Sequence, residues 1–220
     1  MKPDTVIYDM DGLLVDSEPL WHRAAQEVMG SLGIPLDDAA YATTIGLRTR
    51  EFLQHWFRLY GVDAALAAPT EDSITRRVIE LLRAEGQMMP GVNQSLSLFR
   101  TNGFRVGLAT SSPMSLVDAM LDRTGLHGAF DALCSAADLP YGKPHPQVYL
   151  DCAAVLGSEP VACICLEDSF NGMIAAKAAR MKCIVVPEPS VFHQDRWHAA
   201  DLKLPSLEAL QAEQLALLGV

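Results

Sequence analysis

The chain has 220 residues, half of them apolar, with a formal net charge of −10 at pH 7. This length and apolar content predict one globular core, and the acidic balance without a dense run of Lys or Arg excludes nucleic acid and anionic membranes as expected partners. No apolar run approaches the roughly 18 residues of a membrane span and no signal peptide is evident, so we expect a cytoplasmic protein. The five cysteines are spread out and mostly lie in apolar runs, which indicates reduced core residues.

The first predicted strand, near Val6–Tyr8, leads directly into two carboxylates one residue apart. In extended backbone, side chains two residues apart lie on one side, so we expect Asp9 and Asp11 to point the same way, roughly 6 to 7 Å apart. Gly12 follows and allows a tight turn. Because open α/β sheets bind ligands beyond the carboxyl ends of their strands, this is the expected place for chemistry.

Only helical patterns follow until about residue 88. Helices are predicted from a cap at Ser17 to about 32, around 37–45, over 49–60 and over about 70–84. Because this segment contains no predicted strand, we expect it to be an insertion after the first strand. The insertion would form a helical cap over the crevice. The expected domains are a core of residues 1–16 and 89–220 and a cap of residues 17–88.

In the rest of the chain, predicted helices and strands alternate. Helices are predicted at 92–101, 113–124, 146–156, 169–179 and from Ser206, and strands at 104–109, 130–135, 161–166 and 182–186. Alternation with short connections predicts an α/β fold: a doubly wound, Rossmann-like parallel sheet with helices on both faces, interrupted by the helical cap.

Polar residues follow several of these strands and are expected to meet in one crevice. They comprise the two N-terminal acids, hydroxyls at a helix start, a lysine in a Gly-Lys-Pro turn and two further acids: Asp9, Asp11, Thr110, Ser111, Ser112, Lys143, Glu167 and Asp168. Carboxylates can hold Mg²⁺, while a lysine and helix-start amides neutralise phosphate oxygens. The set is therefore typical of phosphoryl transfer.

Four runs also carry a family resemblance. The runs Asp9-Met10-Asp11-Gly12, Leu108-Ala109-Thr110-Ser111-Ser112, Lys143-Pro144 and Glu167-Asp168-Ser169 resemble, in this order, the four motifs of the haloacid dehalogenase-like (HAD) hydrolases. Flanking residues, including Asp16-Ser17-Glu18-Pro19-Leu20-Trp21, resemble small sugar-phosphate phosphatases, such as the 2-deoxyglucose-6-phosphate and hexitol phosphatases. The resemblance covers essentially the whole chain.

The resemblance implies a phosphatase that acts on small sugar or sugar-alcohol phosphates. Asp9 would be the nucleophile that forms an aspartyl-phosphate, and Asp11 would first protonate the leaving oxygen and then deprotonate the attacking water. Thr110 and the Ser111 amide would bind phosphoryl oxygens. Lys143 would offset the charge between nucleophile and phosphate.

The same resemblance implies Mg²⁺ as the cofactor. The ion would be held by the Asp9 carboxylate, the Asp11 backbone carbonyl and Asp168, with Glu167 as outer support or as an additional ligand. Without a metal and a lysine, several carboxylates would face a phosphate dianion, so a cation is needed for substrate approach as well as for the transition state.

Two cap residues are candidates for contact with the substrate. Trp21 could reach the sugar or pack within the cap, and Arg48 could reach the substrate from the cap. A β-phosphoglucomutase-like phosphotransferase is the main alternative, although Trp21 stands where that subfamily has a histidine. A dehalogenase is a weaker alternative, because the general-acid carboxylate Asp11 would have no role in its reaction. A phospho-aspartate receiver module is a further alternative from a different class, but such modules are shorter and have no helical insertion.

Overall fold

A computed structural model describes residues 2–44 and 47–220 of the chain. Its centre is a six-stranded parallel sheet in the order β3-β2-β1-β4-β5-β6. The strands are β1 (Thr5–Tyr8), β2 (Arg105–Thr110), β3 (Ala132–Ser135), β4 (Cys163–Glu167), β5 (Lys182–Val185) and β6 (Leu202–Lys203). The first strand lies between β2 and β4, and the chain reverses its direction of winding at this point.

Helices cover both faces of the sheet. They are α1 (Glu18–Ser31), α2 (Asp38–Ala42), α3 (Thr49–Tyr60), α4 (Ala67–Glu85), α5 (Val92–Thr101), α6 (Met114–Thr124), α7 (Gln147–Val155), α8 (Phe170–Ala178) and α9 (Ala212–Leu217). Alternate residues of β1 enter different apolar clusters: Val6 and Tyr8 face α5 and α6, whereas Ile7 faces α7 and α8. Burial on both faces explains the continuous apolar runs of a parallel sheet, and it confirms the predicted doubly wound fold.

The first four helices lie between β1 and β2 in the chain. Helices α1 and α3 both pack against α4, and α4 also packs against α6 of the sheet layer. Their apolar residues belong to the same buried cluster as those of α5 and α6, so the inserted helices rest directly on the core. None of the described helices is both long and apolar enough to pass through a lipid bilayer.

The structure corrects the predicted C-terminal helix from Ser206. The Ser206 hydroxyl does accept the Glu208 amide, at 3.1 Å, but only a 3₁₀ turn over Leu207–Ala209 follows. Leu210 is buried in an extended conformation and ends that turn, and α9 begins after it. The short edge strand β6 was also missed, because its two residues carry too little alternation to be recognised.

The inserted helices differ from the sequence prediction at Ser17. Ser17 precedes α1 as predicted, but its backbone is helical and its side chain does not cap the helix; its hydroxyl donates to Asp11 at 2.7 Å instead. The prediction of a capping hydroxyl is therefore wrong. The helix predicted around 37–45 corresponds to α2, and its predicted end at Ile45 lies outside the described residues.

Candidate active site

Asp9 lies immediately beyond β1, at the centre of the sheet's carboxyl edge. Its amide donates to the Leu166 carbonyl at 2.9 Å, which continues the pairing with β4 by one residue. The side chain is 9% exposed, and its Oδ1 accepts a hydrogen bond from Lys143 Nζ at 2.7 Å. Burial raises the pKa of the Asp9 carboxyl to about 7, although Lys143 opposes the shift and other carboxylates add to it. The adjacent lysine therefore stabilises the charged form of the Asp9 carboxyl.

Asp11 is held by donors on both of its carboxylate oxygens. Oδ1 accepts from Ser17 Oγ at 2.7 Å and from Trp21 Nε1 at 2.9 Å. Oδ2 accepts from Ser112 Oγ at 2.7 Å and lies 3.4 Å from Thr110 Oγ1. An indole N–H can only donate, whereas a hydroxyl can donate or accept. Trp21 therefore fixes Oδ1 as an acceptor, and a proton on Asp11 belongs on Oδ2.

The end of β2 supplies the hydroxyl residues. Thr110 is fully buried, and its Oγ1 accepts the Ser112 amide at 3.0 Å as well as facing Asp11. Ser111 and Ser112 line the cavity in front of the acids. The sequence indicated this hydroxyl run, but Ser112 as the closer hydroxyl partner of Asp11 was missed.

Lys143 connects Asp9 to β4 and β2. Its Nζ donates to Asp9 Oδ1 at 2.7 Å, to Glu167 Oε1 at 2.6 Å and to the Ala109 carbonyl at 3.0 Å. Its side chain is only 6% exposed. Burial alone would lower the pKa of Lys143, but the charges of Asp9 and Glu167 outweigh burial and leave it above the ordinary lysine value. The ammonium therefore remains charged at neutral pH.

Glu167 is fully buried and acts as the structural partner of Lys143. Besides the lysine, its Oε1 accepts from the Tyr149 hydroxyl, and its Oε2 accepts from Ser169 Oγ at 3.1 Å. A Cβ on Gly172 would lie 1.9 Å from the Glu167 side chain, so a larger residue there would displace this carboxylate from its partners. Sequence reasoning missed Tyr149, whose position one helical turn beyond the lysine's loop was the available signal.

Asp168 lines the same cavity as Asp9. Burial raises the pKa of its carboxyl well above the ordinary value, and the charges of Asp9 and Glu167 act in the same direction. Lys143 pairs with Asp9 and Glu167, and no ion pair among the described residues includes Asp168. A Cβ on Gly12 would lie 2.2 Å from Asp168 Oδ2, so this glycine allows the carboxylate to approach the loop that carries Asp11.

These carboxylates form a group that can hold a metal ion. Oxygen atoms of Asp9, Glu167 and Asp168 all lie within 4.8 Å of one another. One lysine balances only part of their charge, and hard divalent cations prefer carboxylate oxygens. The donor set and the uncompensated charge therefore fit a divalent cation.

A cavity of about 460 Å³ opens in front of these residues. The core contributes Asp9, Asp11, Lys143 and Asp168 to its lining, and the inserted helices contribute Trp21, Tyr41 and Arg48 among others. The cavity thus has an acid, lysine and candidate metal site at one end and a wall of helical side chains at the other. Such an arrangement suits an anionic group at the core and a larger organic group beneath the helices.

The two candidate cap residues have definite positions. Trp21 lines the cavity, but its indole N–H is directed to Asp11. The Arg48 guanidinium binds Glu51 and backbone carbonyls of residues 136–140. Glu18, which the sequence reasoning did not single out, also lines the cavity, and burial raises the pKa of its carboxyl to about 7.

The fold and this site define a doubly wound α/β enzyme whose acids and lysine meet at the carboxyl edge of the sheet. The chain belongs to the haloacid dehalogenase-like hydrolases, because the model of that family matches residues 3–180. Hexitol phosphatase B of Escherichia coli (strain K12) is 45% identical over 210 residues, which cover 95% of each chain. The predicted family is therefore confirmed.

Further relatives bind or act on different sugar phosphates. Fructose-1-phosphate phosphatase YqaB of Escherichia coli (strain K12) is 32% identical over 181 residues, which cover 82% of this chain and 95% of that protein. A mutant of CbbY from Rhodobacter sphaeroides, solved in complex with xylulose-(1,5)bisphosphate, is 27% identical with a TM-score of 0.83, covering 94% of this chain and 96% of that one. The family is thus shown, and the substrate is a separate question.

Proposed function

We propose that the protein is a Mg²⁺-dependent phosphatase that hydrolyses small sugar or sugar-alcohol phosphate monoesters through an aspartyl-phosphate. The observation that carries the proposal is the contact of Asp9 with Lys143 at 2.7 Å, beside Asp168 and at one end of the cavity between the core and the inserted helices. The similarity to hexitol phosphatase B and to a fructose-1-phosphate phosphatase supports a polyhydroxylated substrate.

In the first step, an Asp9 carboxylate oxygen attacks phosphorus, and the bond from phosphorus to the sugar oxygen breaks. Asp11 gives its proton to that oxygen, so the sugar leaves as a neutral alcohol. In the second step, water attacks phosphorus, Asp11 takes its proton, and the bond to Asp9 breaks. The donors around Asp11 support both duties, because they hold the carboxylate in place while Oδ2 gains and loses the proton.

Lys143, Thr110 and the Ser111 amide are proposed to face the phosphoryl oxygens. Lys143 carries its charge beside Asp9 and is fixed there by Glu167, so the charge does not need to move when substrate arrives. Preorganised donors of this kind are worth most in a site that excludes water.

We propose that Mg²⁺ is held by the Asp9 carboxylate, the Asp11 backbone carbonyl and Asp168. When bound, the ion supplies positive charge that screens the carboxylates from the phosphate and stabilises charge on the phosphoryl oxygens. Both Glu167 oxygens already accept hydrogen bonds, which favours a supporting role for this residue over direct ligation.

The inserted helices are proposed to act as a cap domain of residues 17–88 over a core of residues 1–16 and 89–220. Trp21 extends from the first of these helices to Asp11, so the position of the cap affects the acid directly. We further expect a cytoplasmic enzyme, in agreement with five cysteines that form no disulfide.

The test is phosphate release from a panel of hexose, deoxyhexose and hexitol phosphates in the presence of Mg²⁺. We expect multiple turnovers by the wild type and none by Asp9→Asn with an unchanged circular dichroism spectrum. Isomerisation of glucose 1-phosphate without phosphate release would favour the phosphotransferase. Absence of both activities would contradict the proposal.

A further inference from the structure

The cavity wall beyond Asp9, Asp11 and Asp168 has an acidic charge balance. Among the described residues that line it, two arginines accompany four acids besides Asp9, Asp11 and Asp168: Arg48 and Arg50, with Glu18, Glu71, Asp72 and Asp138. The leaving group of a substrate would lie against this wall. The charge of the wall therefore affects which leaving groups the enzyme accepts.

Arg48 has no donor left for a substrate. A guanidinium has five N–H groups. Nε and Nη2 donate to Glu51 Oε1 at 2.9 and 2.6 Å, and Nη1 donates to the carbonyls of Leu139 at 2.9 Å and Ala136 at 3.3 Å. The remaining donor on Nη2 lies 3.5 Å from the Pro140 carbonyl. An anion could bind Arg48 only by replacing one of these partners.

Arg50 is the more accessible cation, but it lies beside an acid. Its Nε is 3.7 Å from Glu71 Oε2, and the Arg50 side chain is 53% exposed. Asp72 follows Glu71 on α4 and also lines the cavity. A second anionic group near Arg50 would therefore compete with Glu71 and meet the charge of Asp72.

We propose, on the basis of the function proposed above, that the substrate's leaving group is a neutral polyhydroxyl chain or ring and that Glu71 rejects esters with a second phosphate or carboxylate. Carboxylates of the wall can accept hydrogen bonds from sugar hydroxyls, whereas a second anion would be repelled. Glu71 is thus a specificity-determining residue.

The environment of Glu18, another acid of this wall, supports the assignment. Burial raises the pKa of its carboxyl to about 7, and the charges of Asp11, Glu188 and Asp16 add to the shift. Burial and neighbouring acids therefore both disfavour negative charge beside Glu18. A phosphotransfer that passes through a sugar bisphosphate would be disfavoured for the same reason.

The test compares two esters of one sugar, glucose 6-phosphate and glucose 1,6-bisphosphate, with sorbitol 6-phosphate as a hexitol probe. We expect kcat/KM of the wild type to be at least about tenfold lower for the bisphosphate than for the better monophosphate. One carboxylate that repels a nearby phosphate dianion changes binding by about this factor. In Glu71→Gln, the ratio of bisphosphate to monophosphate kcat/KM should rise about tenfold, because Arg50 is freed.

Two further variants identify the cause of the change. Glu80→Gln removes a charge from the same helix, where Glu80 pairs with Arg77 at 3.0 Å outside the cavity, and it should leave the ratio at the wild-type value. Adding Arg50→Ala to Glu71→Gln should remove most of the gain. Added salt should reduce the difference in wild-type kcat/KM between the monophosphate and the bisphosphate, as expected for a charge effect.

The outcomes separate this inference from the proposed function. Equal efficiency of the wild type on monophosphate and bisphosphate would overturn the inference and leave the phosphatase in place. The same ratio in Glu71→Gln and Glu80→Gln would also overturn it. Phosphate release from none of the esters by the wild type would instead overturn the proposed function, and the inference with it. If Glu71→Gln fails to fold, the ratio of kcat/KM for the bisphosphate to kcat/KM for the monophosphate in the wild type still tests whether the enzyme rejects a second anionic group.

Discussion

The hydrogen bond from Trp21 to Asp11 offers a direct test of how the acid is held. Trp21→Phe keeps an aromatic ring in the cavity wall and removes the Nε1 donor, which lies 2.9 Å from Asp11 Oδ1, together with the pyrrole part of the indole. Ser17 and Ser112 would still donate, but their hydroxyls can rotate or accept. The acid would therefore lose the one partner that fixes which oxygen carries the proton.

The expected loss follows from the strength of such bonds. A hydrogen bond to a charged group is worth about 1.5 to 3 kcal/mol, or roughly 10- to 150-fold in rate if all of it is lost in the transition state. Because Ser17 continues to bind Oδ1, the lower end applies, and we expect about a tenfold decrease in kcat/KM for a sugar phosphate.

The assay separates the acid's role from a general disturbance. Because kcat/KM reports the steps up to formation of the phosphoenzyme, a leaving group that needs no proton should be less affected. We expect kcat/KM for p-nitrophenyl phosphate to fall by less than about threefold in Trp21→Phe. Trp56→Phe is the matched control, because it removes an indole donor of the inserted helices that lies 3.4 Å from Thr44 Oγ1. Equal losses on both substrates, or equal effects of the two variants, would refute the reasoning.

The remaining predictions concern charge and space at the core. Lys143→Met should reduce kcat by more than about a thousandfold and lower the melting temperature, because two buried carboxylates lose their partner; a variant with near-normal turnover would contradict the proposed role. Mg²⁺ should raise the melting temperature of the wild type and not of Asp168→Asn, as followed by thermal unfolding, and an equal rise in both would remove Asp168 from the metal site. Gly172→Ala should abolish activity by displacing Glu167, whereas Gly30→Ala, with nothing within 4 Å of the new methyl group, should be fully active in the same assay.

Much of the fold and the grouping of the site follow from the sequence. Strands that alternate with helices must run parallel, so their carboxyl ends share one edge, and the polar residues after β1, β2 and β4 meet there. The sequence therefore predicts that Asp9, Lys143 and Asp168 are close, and the structure brings them together. Their assignment as nucleophile, charge partner and metal ligand stays a prediction.

The direction of individual side chains is harder to predict. Helical periodicity assigns Trp21 to a face of α1, but it cannot tell whether the indole N–H points at a sugar or at Asp11. Arg48 is similar, because its partners include carbonyls of a loop about ninety residues later in the chain. Ser17 looked like a helix cap, and only the tertiary structure shows that Asp11 takes its hydroxyl. Such contacts depend on long-range packing, which local pattern does not encode.

The central claim is that Asp9 becomes covalently phosphorylated during turnover. The most direct measurement is borohydride reduction of enzyme quenched during steady turnover with Mg²⁺ and a sugar phosphate, followed by mass spectrometry of the peptides that contain Asp9, Asp11 and Asp168. The account predicts conversion of Asp9 to homoserine, because reduction of an acyl phosphate yields that alcohol, with no conversion when substrate is omitted. Homoserine at Asp11 or Asp168 instead of Asp9, or none at any position while phosphate is released, would contradict it.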